Sequence, residues 1–318
     1  MSNINTNLLN RTFTITFGDQ AENHKGMQII GNLANVGDGF NNDDMKEIMI
    51  NWGDRGAECE LLNLGELSGL SGLPDASVLI IRNGLEMLEL SSDDMFEEQL
   101  SLDYDKLAYM YGRVVNKKAR WNICFGNDNQ DPDYENKKGR IVEWNEVPLL
   151  KVFMELMPNL FGKKANKLYG EGNYYYDINK CGIGYHGDSE RRKVIAVRLG
   201  ASMPLYYQWY KDNKAVGNRI KVPLNHGDIY VMSEKAVGTD WKRKSIYTLR
   251  HAAGCNNFVV PSNDNPKPSY KEECLEAICA YWKVMKSRGM NREDFIEMWI
   301  SMDSDRKEEV YNIHRVSK

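Results

Sequence analysis

Two stretches of the chain set a histidine and an aspartate two positions apart: GIGYHGDSERRK, with His186 and Asp188, and VPLNHGDIYVM, with His226 and Asp228. Alternate side chains of a β-strand point to one face, so an imidazole and a carboxylate at this spacing can grip a single metal ion. Context separates the copies. Asn225 to Asp228 read as a turn between two strands, with Gly227 at its tight point, and turn residues are solvated without a metal. The first copy precedes a charged turn and a buried strand, Val194 to Leu199, and is the candidate metal dipeptide.

A second segment, WKRKSIYTLRHAAG, extends that chemistry. Read as a strand, it puts Lys244, Ile246, Thr248 and Arg250 on one face and Tyr247, Leu249 and His251 on the other. Two cations beside a metal held by His and Asp suit a dicarboxylate co-substrate: one end chelates the metal and the far carboxylate takes a charge-assisted hydrogen bond. The plainer alternative pairs Lys244 and Arg250 with acidic neighbours on an exposed face.

The elements that must carry these residues fall into three parts. From about Arg11 to Leu90, TFTITF alternates Phe13, Ile15 and Phe17, SVLIIR reads as a buried strand, and Met45, Ile48, Met49 and Trp52 recur at helical spacing. Residues 1–100 are thus expected to form a small N-terminal α/β portion. An acidic stretch, ELSSDDMFEEQLSLDYD, leads into residues 101–262, where a helix around Val147 to Phe161 precedes strand after strand broken by Gly, Asn and Asp. That order predicts a β-sandwich or barrel with helices packed outside, and an α+β class. Residues 263–318 read as a C-terminal helical pair, the first with a capping box of Ser269 and Glu272 and the second capped by Asn291.

Composition narrows the function. A chain of 318 residues can bury one large core or two smaller ones. Its formal net charge of -4 argues against a sequence-independent nucleic-acid coat while leaving room for a locally basic groove. Apolar runs fall short of the roughly 20 residues of a membrane span, and the start MSNINTNLLNRTF lacks the order of a signal peptide. A soluble intracellular protein with no membrane partner is expected. Six scattered cysteines without a C-x-x-C point to reduced thiols. The oligomeric state has no signal in the sequence.

Taken in order, YYYDINKCGIGYHGDSE, VIAVRLGASMPLYYQWY, RIKVPLNHGDIYVMSE and IYTLRHAAG resemble the AlkB-type branch of the iron(II)- and 2-oxoglutarate-dependent dioxygenases. Upstream, MYGRVVNKKARWNICFGNDNQDPDYE resembles that family's nucleotide-recognition lid, and VPLLKVFMELMPNLFG the helix leading into its barrel. The resemblance spans about Tyr109 to Gly254. It implies a double-stranded β-helix (jelly-roll) core with flanking helices, and an oxidoreductase using Fe(II) and 2-oxoglutarate. It also implies His186 and Asp188 as metal ligands, Arg250 as the arginine touching 2-oxoglutarate and the aspartate, Lys244 for the far carboxylate, and Tyr176 as the tyrosine holding the co-substrate. Two departures stand out. The family's Asn-x-Tyr is read on Tyr174, Tyr175 and Tyr176, without its asparagine, and KAVGTDWKRKS holds no histidine where the third ligand is due. Asp240 lies nearest that place and is the expected third ligand; His251 ranks below it, because a regular strand points it away from the face of Arg250.

On this resemblance the substrate is a modified nucleic-acid base. Arg113, Trp121 and Arg191 are the expected substrate contacts, Tyr206, Tyr207 and Trp209 further stacking candidates, and Arg113, Lys117, Lys118 and Arg120 a basic edge for phosphates. Three classes of function follow: a nucleic-acid demethylase or base hydroxylase, a hydroxylase of a protein or small molecule on the same barrel, and an inactive barrel that binds or builds, motivated by the absent histidine.

Overall fold

The computed structural model describes residues 10–260 and 270–302, together with 306 and 310. The chain divides into two compact units, Met1–Pro261 and Ser262–Lys318. In chain order the strands of the first unit are β1 (Thr12–Gly18), β2 (Gln20–Glu22), β3 (Ile29–Gly31), β4 (Cys59–Asn63), β5 (Ser77–Ile81), β6 (Leu107–Met110), β7 (Arg113–Asn116) and β8 (Trp121–Gly126). They continue with β9 (Ile141–Glu143), β10 (Tyr169–Tyr175), β11 (Gly182–His186), β12 (Val194–Gly200), β13 (Leu205–Lys211), β14 (Lys214–Val222), β15 (Ile229–Met232) and β16 (Thr248–Gly254). Its helices are α1 (Asn42–Gly53), α2 (Leu64–Leu67), α3 (Ser92–Leu100), α4 (Pro148–Phe161), α5 (Glu234–Val237) and α6 (Asn256–Val259). The class is α+β.

Two sheets dominate. The larger runs β4-β5-β15-β12-β1-β10-β8-β9 and the smaller β11-β16-β13-β14. Pairing is antiparallel throughout both, except between β8 and β9. From β10 onward the chain crosses repeatedly between them: β10, β12 and β15 join the larger sheet, and β11, β13, β14 and β16 the smaller.

The alternation of TFTITF explains how β1 is used. Phe13, Ile15 and Phe17 face a core built with Met45 and Trp52 of α1, Phe96 of α3 and Phe153 of α4. Burying each such side chain contributes about 1.5–3 kcal/mol. Thr14 and Thr16, on the opposite face, line a cavity. A second core fills the space between the sheets, joining Val78, Ala196 and Tyr230 to Tyr207, Trp209 and Leu249. The helices begin where short-range chemistry directs: Asn41 and Asp44 form a capping box at α1, and proline opens α4.

The division expected near residue 100 is not a division of this fold. β1 lies between β10 and β12, paired to both, and β5 pairs with β15, so the N-terminal strands complete the larger sheet. In the second unit, α7 (Tyr270–Ser287) and α8 (Arg292–Ser301) pack through Trp282 and Phe295, with ring centroids 5.0 Å apart. Asn291 caps α8 by accepting from the Asp294 backbone N–H; Ser269 lies outside the described residues. Among the described residues no helix is long and apolar enough to cross a membrane.

Candidate metal centre

His186 ends β11 and pairs with His251 on β16, beyond a register shift in the ladder. Their rings stand 4.5 Å apart, and each presents Nε2 to the same Asp188 oxygen, at 3.4 and 3.5 Å. One ligating atom from each of the three residues lies within 4.8 Å of the others. Gly187 permits this placement: a Cβ there would sit 2.1 Å from the Gly238 carbonyl, so only glycine lets the loop after α5 close over the dipeptide. The Asp188 N–H donates to the Val237 carbonyl at 3.0 Å, tying the backbone of the dipeptide to the last residue of α5.

The donor set fits a divalent metal. The His186 Nδ1 lies 2.8 Å from the Gly184 carbonyl, which selects the tautomer with a free Nε2 lone pair toward Asp188 and His251. Burial, with His251 next, pushes the His186 pKa down and favours the neutral ring that ligates. Burial would raise the Asp188 carboxyl, but the Arg191 guanidinium and His251 hold it well below the usual range. Two imidazoles and a carboxylate on one side of an ion leave positions for other ligands, the arrangement of non-haem iron sites.

Arg191 is the positive centre of this neighbourhood. Only 3% exposed, it pairs with Glu171, with Glu190 at 2.9 Å and, through Nε, with Asp188 at 3.5 Å. Arg191, expected as a substrate contact, lines the cavity and also supports the Asp188 carboxylate.

The three residues open into a cavity of about 560 Å³ between the sheets. Lys25, Ile29 and Lys242 are exposed lining residues and mark its mouth, while Tyr175, Arg198, Leu205 and Ala253 are buried and mark its floor. Trp241 stands at the mouth, its indole N–H donating to Ser189 and its ring flanked by Lys25 at 5.7 Å and Lys242 at 5.6 Å. Burial pushes the Glu22 carboxyl up to about 7 and the His24 imidazole down to about 4.

Several expected site residues lie elsewhere. Asp240 pairs with Lys235 at 2.7 Å and is not part of the cluster. Lys244 sits exposed in a turn, because β16 begins at Thr248 rather than four residues earlier. Arg250 lies on the outer face of β16, its guanidinium 4.0 Å from the Tyr210 ring centroid and bonded to Asn213. The alternation that opposes Arg250 to His251 holds, and the inward face is that of His251. Tyr176 donates to the Lys118 carbonyl and stacks on Trp121, so both face away from the cavity, and Tyr175 lines it instead. Arg113 is exposed on β7. Lys117 is buried against Asn23 and Asn122, whereas Arg120 lines the cavity and donates to Asn173 at 2.7 Å. Tyr207 and Trp209 belong to the core. The second HGD is a turn: Gly227 takes φ +80°, His226 Nδ1 accepts from the Gly200 N–H, and Asp228 pairs with Arg82 at 2.6 Å.

Sequence reasoning passed over Thr14, Thr16, Asn173, Tyr175, Arg198 and Tyr230, all of which line the cavity. The available signals were the polar face of TFTITF and one arginine inside the apolar run VIAVRLG.

No family model matches the chain. Over 254 residues it is 51% identical to uncharacterized protein R156 of Acanthamoeba polyphaga mimivirus, covering 79% of this chain and 98% of that protein.

Proposed function

The chain belongs to the family of that mimivirus protein, and we propose that it is an iron(II)- and 2-oxoglutarate-dependent oxygenase of AlkB-like type. The single observation that carries the reading is the convergence of His186, Asp188 and His251 on one point beside the cavity. The motive for an inactive barrel was an absent third histidine, and the place of His251 beside His186 and Asp188 favours the active reading.

We read the two sheets as a double-stranded β-helix in which β1 takes the place between β10 and β12. Support comes from the repeated crossing of β10 to β16 between the sheets and from the position of β1. The family's Asn-x-Tyr then falls on Asn173 and Tyr175, one residue before the expected register, and both line the cavity.

His186, Asp188 and His251 would hold the iron. The bound metal and co-substrate supply oxidative decarboxylation of 2-oxoglutarate to succinate, coupled to hydroxylation of a C–H bond, which on an N-methyl group releases formaldehyde. The chain keeps Asp188 ionised through Arg191, keeps His186 neutral by burial and offers Tyr175 on the cavity wall to the co-substrate.

A modified nucleic-acid base is the proposed substrate, supported by Trp241 with Lys25 and Lys242 at the mouth, a ring for stacking beside cations for phosphates. A second reading, hydroxylation of a protein or small molecule carrying a cation, is favoured by Glu22, Glu171 and Glu190 on the same cavity wall. Purified protein given Fe(II), 2-oxoglutarate and air, with succinate followed by NMR, tests the activity; methylated oligonucleotides and basic peptides analysed by mass spectrometry separate the substrates. Metal uptake that His251→Ala leaves unchanged would overturn the reading.

A further inference from the structure

We infer that Arg198 anchors a carboxylate at the floor of the cavity, the far carboxylate of the dicarboxylate co-substrate. The identity of the acid rests on the oxygenase reading; the anchor itself rests on what surrounds Arg198.

Arg198 lies in β12, whose seven residues are all buried, and is 1% exposed. It is register-paired with Thr14 of β1 and lines the cavity with Tyr175 and Tyr230. Neither its Nε nor its Nη1 has a hydrogen-bond partner, and among the described residues no carboxylate forms an ion pair with it. Other arginines are treated differently. Arg191, buried like Arg198, has three carboxylates around it, and the half-buried Arg82 pairs with Asp228 and Glu60. Asp228, whose charge reaches Arg198, is committed to Arg82 and to the backbone N–H groups of Asn83 and Asn225.

A buried cation without a counterion is costly, and folded proteins pair such groups or aim them at ligands. A guanidinium presents N–H pairs that match a carboxylate in two parallel hydrogen bonds. Lys244 and Arg250, the cations that sequence spacing offers for this role, are outside the cavity; of the arginines that line it, Arg191 is held by carboxylates and Arg120 donates to Asn173, while Arg198 lies at the buried end.

The test is binding to the full chain, without turnover. With Zn(II) at the metal site, 2-oxoglutarate and pyruvate chelate alike, but only 2-oxoglutarate carries the far carboxylate. Calorimetry on the wild-type protein should show 2-oxoglutarate binding more than about tenfold tighter than pyruvate, Arg198→Met should abolish that preference, and Arg198→Lys should restore part of it. Zn(II) affinity, unchanged in Arg198→Met, reports that the variant is folded. A preference that survives in Arg198→Met overturns the inference. In metal-free protein, glutarate, which lacks the keto group, provides an independent arm. Glutarate binding that Arg198→Met removes upholds the anchor even if the chain takes up no metal and the oxygenase reading fails; equal glutarate binding by both proteins overturns the anchor while leaving the metal site standing.

Discussion

His186 and His251 face each other across the β11–β16 ladder, 4.5 Å between ring centroids, with Asp188 below both. Neither histidine is near the other in sequence, so the pair exists only because β11 and β16 are neighbours. This relationship identifies the third ligand by position. His251→Ala should lower Co(II) or Fe(II) affinity by more than the roughly 10–100-fold typical of losing a supporting residue, while Asp240→Asn should leave it within a few-fold. Metal titrations followed by the visible spectrum of Co(II) check both; equal losses in the two variants would remove His251 from the site.

The one-residue difference between Tyr175 and Tyr176 gives a sharp comparison. Tyr175 ends β10 and lines the cavity, whereas Tyr176, just past the strand, is turned onto Trp121 and the Lys118 carbonyl. Tyr175→Phe should weaken 2-oxoglutarate binding about five- to tenfold, the worth of one hydrogen bond, and Tyr176→Phe should not change it. Calorimetric titration of the two variants in parallel measures the difference.

Arg191 holds three carboxylates in a buried cluster, and deleting it leaves them without a cation. Arg191→Met should therefore destabilise the fold by about 3–5 kcal/mol. Denaturant unfolding checks this, and a loss below about 1 kcal/mol would mean that the cluster is supported from elsewhere.

Glu22 sets a pH dependence of defined sign. The unfolded chain ionises Glu22 near its ordinary value of 4.5, whereas burial holds the folded carboxyl at about 7. The unfolded state thus loses its proton first, so this group's contribution falls as pH rises from about 4.5 to 7 and the loss is complete above 7. Glu22→Gln cannot ionise, so its advantage over wild type should be absent near pH 4 and reach a plateau above about pH 7. His24, titrating near 4 in the folded state, is present in both proteins and cancels in the difference. Unfolding free energies at stepped pH measure the curve, and a difference independent of pH contradicts the assignment.

Local chemistry was legible in the sequence and long-range placement was not. Met45, Ile48 and Trp52 are buried on α1 as their spacing requires, and the helix read around Val147 to Phe161 is α4, Pro148–Phe161. The separation of the two HGD copies was likewise readable, since a turn and a strand differ in their immediate neighbours. The opposition of Arg250 and His251 followed from strand alternation, but alternation alone leaves open which face is inward. The pair Lys244 and Arg250 suggested one face; Lys244 lies in a turn, and the strand pairing of His251 with His186 decides for the other. Arg198 and Thr14 meet only through the β1–β12 ladder, which joins segments read as separate portions. A charged residue inside an otherwise apolar strand was the trace that Arg198 left.

The central position of β1 bears on how the molecule is made. The Thr12 hydroxyl donates to the Leu199 carbonyl 187 residues further along the chain. Closing such a distance costs entropy before any pairing compensates, so β1 should dock only after β10 and β12 are in place. Until then both strands expose bare edges that invite association between chains. The ability to hold an acid in the cavity should consequently appear with the slowest phase of refolding. A fragment begun at residue 101 would retain His186, Asp188 and His251, yet lack the strand that closes the wall around them.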